Sequence, residues 1–238
     1  MARQDGDRRL QVFLAQARGP ARNAALARSL ANMAIRIKAQ REYPEKTLKL
    51  DDPIIETLVF VTTALEQAKI DYAITGSLAS SVHGEAKSTA GADLIILATG
   101  RQASMLAAKL SPRFYAPDDM LRNAVDTHGF VNVIDNATST KVDLSFVAPN
   151  GFLAECVRRR VRATFGTGTP EFWFVTAEDI ILMKLLWRKD TRSTKQWDNA
   201  LSVAKVKGAR MDWKYLFDHA GKLSIEDDLI KLRNEAGI

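Results

Sequence analysis

Apolar positions recur at helical spacing from the start of the chain. Leu10, Phe13 and Leu14 mark one stretch, Gly19–Pro20 interrupts it, and Ala25, Leu26, Leu30, Met33 and Ile37 resume the period until Pro44. Asp51–Asp52–Pro53 then carries the acidic and proline signals of a helix start, and the helix should run through Ile54, Leu58, Leu65 and Ala68. From here the period shortens. Tyr72–Thr75 reads as a short strand stopping at Gly76–Ser77, and Leu78–His83 as a small-residue helix. Ala92–Ala98 reads as an apolar strand, Gln102–Leu110 as a helix, and Phe130–Ile134 and Lys141–Val147 as further strands. Pro149–Asn150–Gly151 marks a turn. Beyond it Thr176, with Asp179 three residues on, has the form of a capping box. It opens a helix carrying Ile180, Leu182, Met183, Leu185 and Leu186, and helices follow over 195–206, 212–220 and 225–236. The pattern predicts an α+β protein with three parts: a helical arm over 1–50, a mixed-sheet region over 51–150, and a mainly helical region over 151–238.

Composition sharpens this picture at two points. The chain has 238 residues, 46% of them hydrophobic and 26% charged, with one cysteine. That balance suits an ordinary folded core, and a lone Cys156 excludes a disulfide framework and points to a reducing, cytoplasmic setting. No apolar run approaches the roughly 20 residues of a membrane helix. The formal net charge of +6 is uneven: residues 1–50 hold eleven Lys or Arg against four acids, and the remaining 188 hold 23 bases against 24 acids. Such an arm is attracted to phosphate polymers; equally, it could be a solvated helical extension that packs on the body or joins a second copy as a homo-oligomer.

The stretch from Tyr72 to Leu97 carries the chemistry. A strand ends in Gly76–Ser77 at a helix start, where free N–H groups, a glycine and a hydroxyl form a cradle for a triphosphate. Asp93 stands on the next strand and Asp143 on a later one, so carboxylates from adjacent strands could hold Mg²⁺ beside the phosphates. Each residue has an ordinary alternative. Ser77 is also a preferred helix cap, Asp143 could simply pair with Lys141, and Asp93 could end a strand. Lys184, in a helix apolar on nearly every side, must reach water, a carboxylate or a phosphate, and Arg188 extends the same face. His83 and His128 lack partners at metal-ligand spacing. Arg158, Arg159, Arg160 and Arg162 form a basic cluster that reads first as a solvated face, and Phe172–Trp173–Phe174 reads as core.

These residues, in this order, resemble the nucleotidyltransferase superfamily with a DNA-polymerase-beta-like fold, in particular the AbiEii-like toxin nucleotidyltransferases. The resemblance spans roughly residues 54–220 and rests on Gly76–Ser77, Asp93, Asp143, and a helix with Glu178–Asp179 and Lys184. It implies Mg²⁺-dependent transfer of a nucleoside monophosphate from an NTP to RNA, tRNA first, or to a protein hydroxyl. An antitoxin protein is the implied partner. On this reading Asp93 and Asp143 are the metal-binding and catalytic carboxylates, and Asp143 helps deprotonate the incoming hydroxyl. Gly76, Ser77, Lys87, Lys184 and Arg188 bind the nucleotide, with Lys87 nearest to the family's arginine.

The family's Asp-x-Asp is Gly91–Ala92–Asp93 in this chain, and a further family aspartate falls near Trp197–Asp198–Asn199. Losing a shared ligand of two cations costs about a thousandfold or more in rate. The transfer reaction is therefore expected to be weak or absent. The alternative from another class is an inactive nucleotidyltransferase fold that binds RNA, nucleotide or an antitoxin.

Overall fold

The computed structural model describes residues 52–238 except 88, 90 and 167; the helical arm expected over 1–50 lies outside the described residues. Helix α1 (Pro53–Gln67) begins where the sequence places it. Asp52 Oδ1 accepts the Ile54 amide at 3.1 Å with proline in the first turn, and Ile54, Ile55, Leu58, Val61 and Leu65 form its buried stripe. Strand β1 (Asp71–Ile74) leads through Thr75 into α2 (Gly76–His83), and β2 (Gly91–Leu97) returns antiparallel to β1. Helix α3 (Gly100–Leu110) is closed by a complete capping box between Thr99 and Gln102. After α4 (Asp118–Thr127), strands β3 (Phe130–Ile134) and β4 (Lys141–Phe146) pair antiparallel, and β4 lies parallel to β2.

Helix α4 has no counterpart in the sequence-based reading. Its core-facing residues, Leu121 and Ala124, make a narrow stripe one turn long, too short to stand out as a period. Beyond the turn at 149–151 come α5 (Phe152–Arg158) and two short strands, β5 (Val161–Ala163) and β6 (Phe172–Phe174). The mainly helical region expected there therefore also contributes to the sheet, whose order is β3-β4-β2-β1-β6-β5, with β6 parallel to β1 at Ile74 and Phe174. Three-residue strands fall below the length at which alternation can be read. The chain ends in α6 (Ala177–Thr191), α7 (Thr194–Lys207), α8 (Trp213–Leu223) and α9 (Glu226–Ala236).

The fold is α+β: a six-stranded mixed sheet with helices packed on it and on one another. On β3 and β4 one face is core (Val131, Val133, Val142, Leu144, Phe146) and the other stays open, carrying Phe130, Asn132, Lys141, Asp143 and Ser145. That clean alternation is the mark of a strand with one wet side. Among the described residues no helix is long and apolar enough to cross a membrane.

Candidate functional site

The site is built from the open end of β2 and β4, the turn before α2, and the buried face of α6. Asp93 on β2 pairs in register with Asp143 on β4, and Asn132 on β3 continues the same row. Neighbouring strands lie about 4.8 Å apart and residues in register share a face, so the two carboxylates point the same way side by side. One residue of slippage would send one of them into the core.

The Gly76 turn holds Asp93 from the other side. Thr75 donates its amide to the Asp93 carbonyl at 2.8 Å, and Gly76 has φ +65°, a left-handed conformation suited to glycine. A Cβ on Gly76 would lie 2.6 Å from Asp93 Cγ, so the absence of a side chain is what lets the carboxyl group reach the start of α2. The Asp93 pKa is raised, first by burial and then by the Asp143 charge; Lys184, Lys141 and the Ser77 amide act against this and favour the ionised form.

Lys184 is 3% exposed, with its ammonium 4.9 Å from the centre of the Trp187 ring. Burial pulls its pKa down to about 8, and the attraction of Asp93 opposes this. Next to Ser77 opens a cleft of about 230 Å³ lined by Ser77, Lys87, Thr194, Lys195, Asp198 and Asn199. Pockets that enclose a whole drug-sized ligand run from roughly 300 to 1,000 Å³, so this cleft is sized for phosphates rather than an entire nucleotide. Lys87 Nζ donates to Asn199 Oδ1 at 2.8 Å, which puts the Trp197–Asp198–Asn199 segment at the site with an amide, and not a carboxylate, against the lysine. Thr194 and Lys195 are new to the site, whereas Asp198 belongs to the segment near which the sequence places a further family aspartate. They lie on α7, more than a hundred residues from Ser77, and only the packing of α7 beside α2 brings them there.

Arg188 is engaged elsewhere. Its Nη1 donates to Asp228 at 3.0 Å and its guanidinium stacks 4.7 Å from the Trp197 ring centre, tying α6 to α9 and α7. The arginine cluster is likewise spoken for within the chain. Arg159 lies over Tyr215 and beside the fully buried Asp179, Arg160 pairs with Asp71 at 2.7 Å, and both Arg160 and Arg162 lie over Trp173. Asp179 also accepts the Tyr215 hydroxyl at 2.7 Å, so it serves as a structural hub, and Thr176 makes only its own half of the expected capping box. His83 is buried with Nε2 donating to the Val175 carbonyl at 2.7 Å, and Cys156 is buried with its thiol pKa pushed far up by burial.

The divalent cations implied by the sequence resemblance need hard oxygen donors. Asp93 and Asp143 supply two carboxylates, and Asp143 Oδ1 is shielded from solvent without a hydrogen-bond partner. The remaining features oppose a two-cation centre. The Lys141 ammonium already stands 3.1 Å from that oxygen, an ion-pair contact without hydrogen-bond alignment. Gly91 is in register with Lys141, and a Cβ there would come 2.9 Å from the Lys141 carbonyl oxygen, a backbone atom that cannot swing away. Position 91 therefore lacks the acid, and a side chain there would force the paired backbones to shift. Among the described residues no three His, Cys, Asp or Glu side chains gather to hold a metal. The residues present do not fit a two-cation centre.

No family model matches the chain, and no curated protein matches it. Among solved structures it is similar to an antigenic nucleotidyltransferase-like protein from Paracoccidioides brasiliensis, with 16% identity over 76% of this chain and 93% of that one and a TM-score of 0.41. It is also similar to the antibiotic-resistance factor ANT(2'')-Ia in solution, with 13% identity over 74% and 96% of the two chains and a TM-score of 0.46. The crystal structure of ANT(2'')-Ia with adenylyl-2''-tobramycin gives 14% identity, 76% and 98% coverage, and a TM-score of 0.43. Likenesses this distant decide nothing about the chemistry of this chain.

Proposed function

We propose that the chain binds the phosphates of a nucleoside triphosphate in a site of nucleotidyltransferase type, and that it transfers the nucleotide weakly or not at all. The observation that carries this reading is the Asp93–Asp143 pair, aligned across two parallel strands against the Gly76 turn, with lysines gathered beside it. The start of α2 supplies backbone donors, Ser77 a hydroxyl, and Lys87, Lys184 and Lys195 positive charge for the phosphates. Asp143 is the carboxylate placed on the open face, where it could take a proton from an incoming hydroxyl. The crowding at Gly91 supports the low transfer rate, because a third carboxylate is absent and a side chain there would require the paired backbones to shift. An RNA acceptor, tRNA first, and an antitoxin partner are proposed on the resemblance and on the basic charge of residues 1–50.

The test is a titration of the protein with ATP, GTP, CTP and UTP, read by heat and by thermal protection, next to incubation with radiolabelled NTP and total RNA. Saturable binding that Asp93→Asn and Ser77→Ala alter, with label transfer near background, is the expected result. Failure of every nucleotide to bind would overturn it.

A further inference from the structure

We propose that Lys141 stands in for a divalent cation at Asp143, so that the triphosphate binds this chain without a metal. This rests on the nucleotide-binding reading above and goes beyond it in naming what balances the charge. The geometry assigns an ammonium to Asp143. Lys141 Nζ lies 3.1 Å from Asp143 Oδ1, half-exposed on the open face of the sheet. Lys184, almost wholly buried on α6 with its ammonium 4.9 Å from the Trp187 ring centre, adds a second positive charge that Asp93 attracts. A buried ammonium is stable only near a compensating charge, and Asp93 is the acid that acts on it.

The same conclusion follows from the charges around the cleft. In the cleft Lys87 and Lys195 stand with Asp198, Lys141 stands against Asp143, and Lys184 is drawn to Asp93, so these groups carry one more positive than negative charge before any ion arrives. A site of three carboxylates repels a polyphosphate until cations neutralise it; this one attracts it. The contact between Gly91 and the Lys141 carbonyl belongs to the same arrangement. With no side chain at 91, β4 lies close against β2 at the residue that carries the substituting ammonium.

The experiment measures the affinity for ATP and for inorganic triphosphate by calorimetry, in EDTA and in Mg²⁺, for the full chain and for Lys141→Met and Lys141→Arg. Lys141 is half-exposed, so both variants should fold. The unaltered chain should bind in EDTA within about threefold of its affinity in Mg²⁺. Lys141→Met should lose roughly tenfold in EDTA and recover it when Mg²⁺ reaches the freed Asp143 oxygen, and Lys141→Arg should behave as the parent. Binding by the parent that EDTA abolishes and Mg²⁺ restores overturns the lysine substitution and leaves the nucleotide site standing. The same holds if Lys141→Met loses nothing in EDTA. Absence of binding under both conditions overturns the nucleotide site itself.

Discussion

Replacing Gly76 by alanine is the most direct test of how the turn and the carboxylate depend on each other. The added Cβ would lie 2.6 Å from Asp93 Cγ and 2.9 Å from Asp93 Cβ, well inside contact distance. Rotating the carboxyl group would not relieve this, because Asp93 Cβ is fixed to β2. Alanine at the left-handed φ of +65° costs about 1–2 kcal/mol. Forcing a methyl group into a packed contact costs about 1–3 kcal/mol more. The expected loss is therefore about 2–5 kcal/mol, out of the roughly 5–15 kcal/mol that holds a domain folded. Chain that remains folded must push Asp93 away from α2 and so should lose nucleotide binding. Urea unfolding gives the first quantity and ATP titration under native conditions the second. A Gly76→Ala protein with an unchanged urea midpoint and unchanged ATP affinity would falsify the close packing of Gly76 on Asp93.

Three further outcomes are expected. Gly91→Asp, which places an acid two residues before Asp93, should lower the urea midpoint by an amount equal to about 1–3 kcal/mol, because its Cβ meets the Lys141 carbonyl, and should not raise label transfer; a gain of transfer at unchanged stability would show that β2 and β4 part easily. Burial lowers the Lys184 pKa to about 8 in the folded chain, against ~10.4 in the unfolded one, so between those values the unfolded chain holds more protons and stability rises with pH. Urea midpoints from pH 7 to 10 should show that rise, Lys184→Met should flatten it, and ATP affinity should fall as the pH passes 8; parallel curves for the two proteins would refute the assignment. Asp135 is fully buried and receives Arg113 Nε and Nη2 at 2.8 and 2.6 Å and the Thr57 hydroxyl at 2.7 Å, contacts that hold its pKa well below the carboxylate range although burial alone would raise it. Its contribution is present above about pH 4 and lost as acid protonates it, and Arg113→Ala should cost about 3–5 kcal/mol by leaving the charge unpaired; acid unfolding curves for Arg113→Ala that coincide with those of the parent chain would count against this.

Local chemistry is what the amino-acid order determined by itself. Aspartate at 52, threonine at 99 and 176, and serine at 193 cap their helices by accepting amides two or three residues on, so α1, α3, α6 and α7 were legible from one stretch of chain each. The same holds for β2, β3 and β4, whose apolar runs or strict alternation declare strands, and for Gly76 beside a strand end. Whether Asp93 and Asp143 meet was a matter of register between strands 50 residues apart in number, and only the folded sheet decided it. Packing also decided the fate of the cations. Arg188 and Lys184 are one turn apart on α6, yet one pairs with α9 and the other is buried with its ammonium over the Trp187 ring. Lys195 reaches the cleft because α7 lies beside α2. The loss of an acid at position 91 is visible in the sequence. The loss of the space for one is a distance between two backbones, and such distances come into being only when the strands pair.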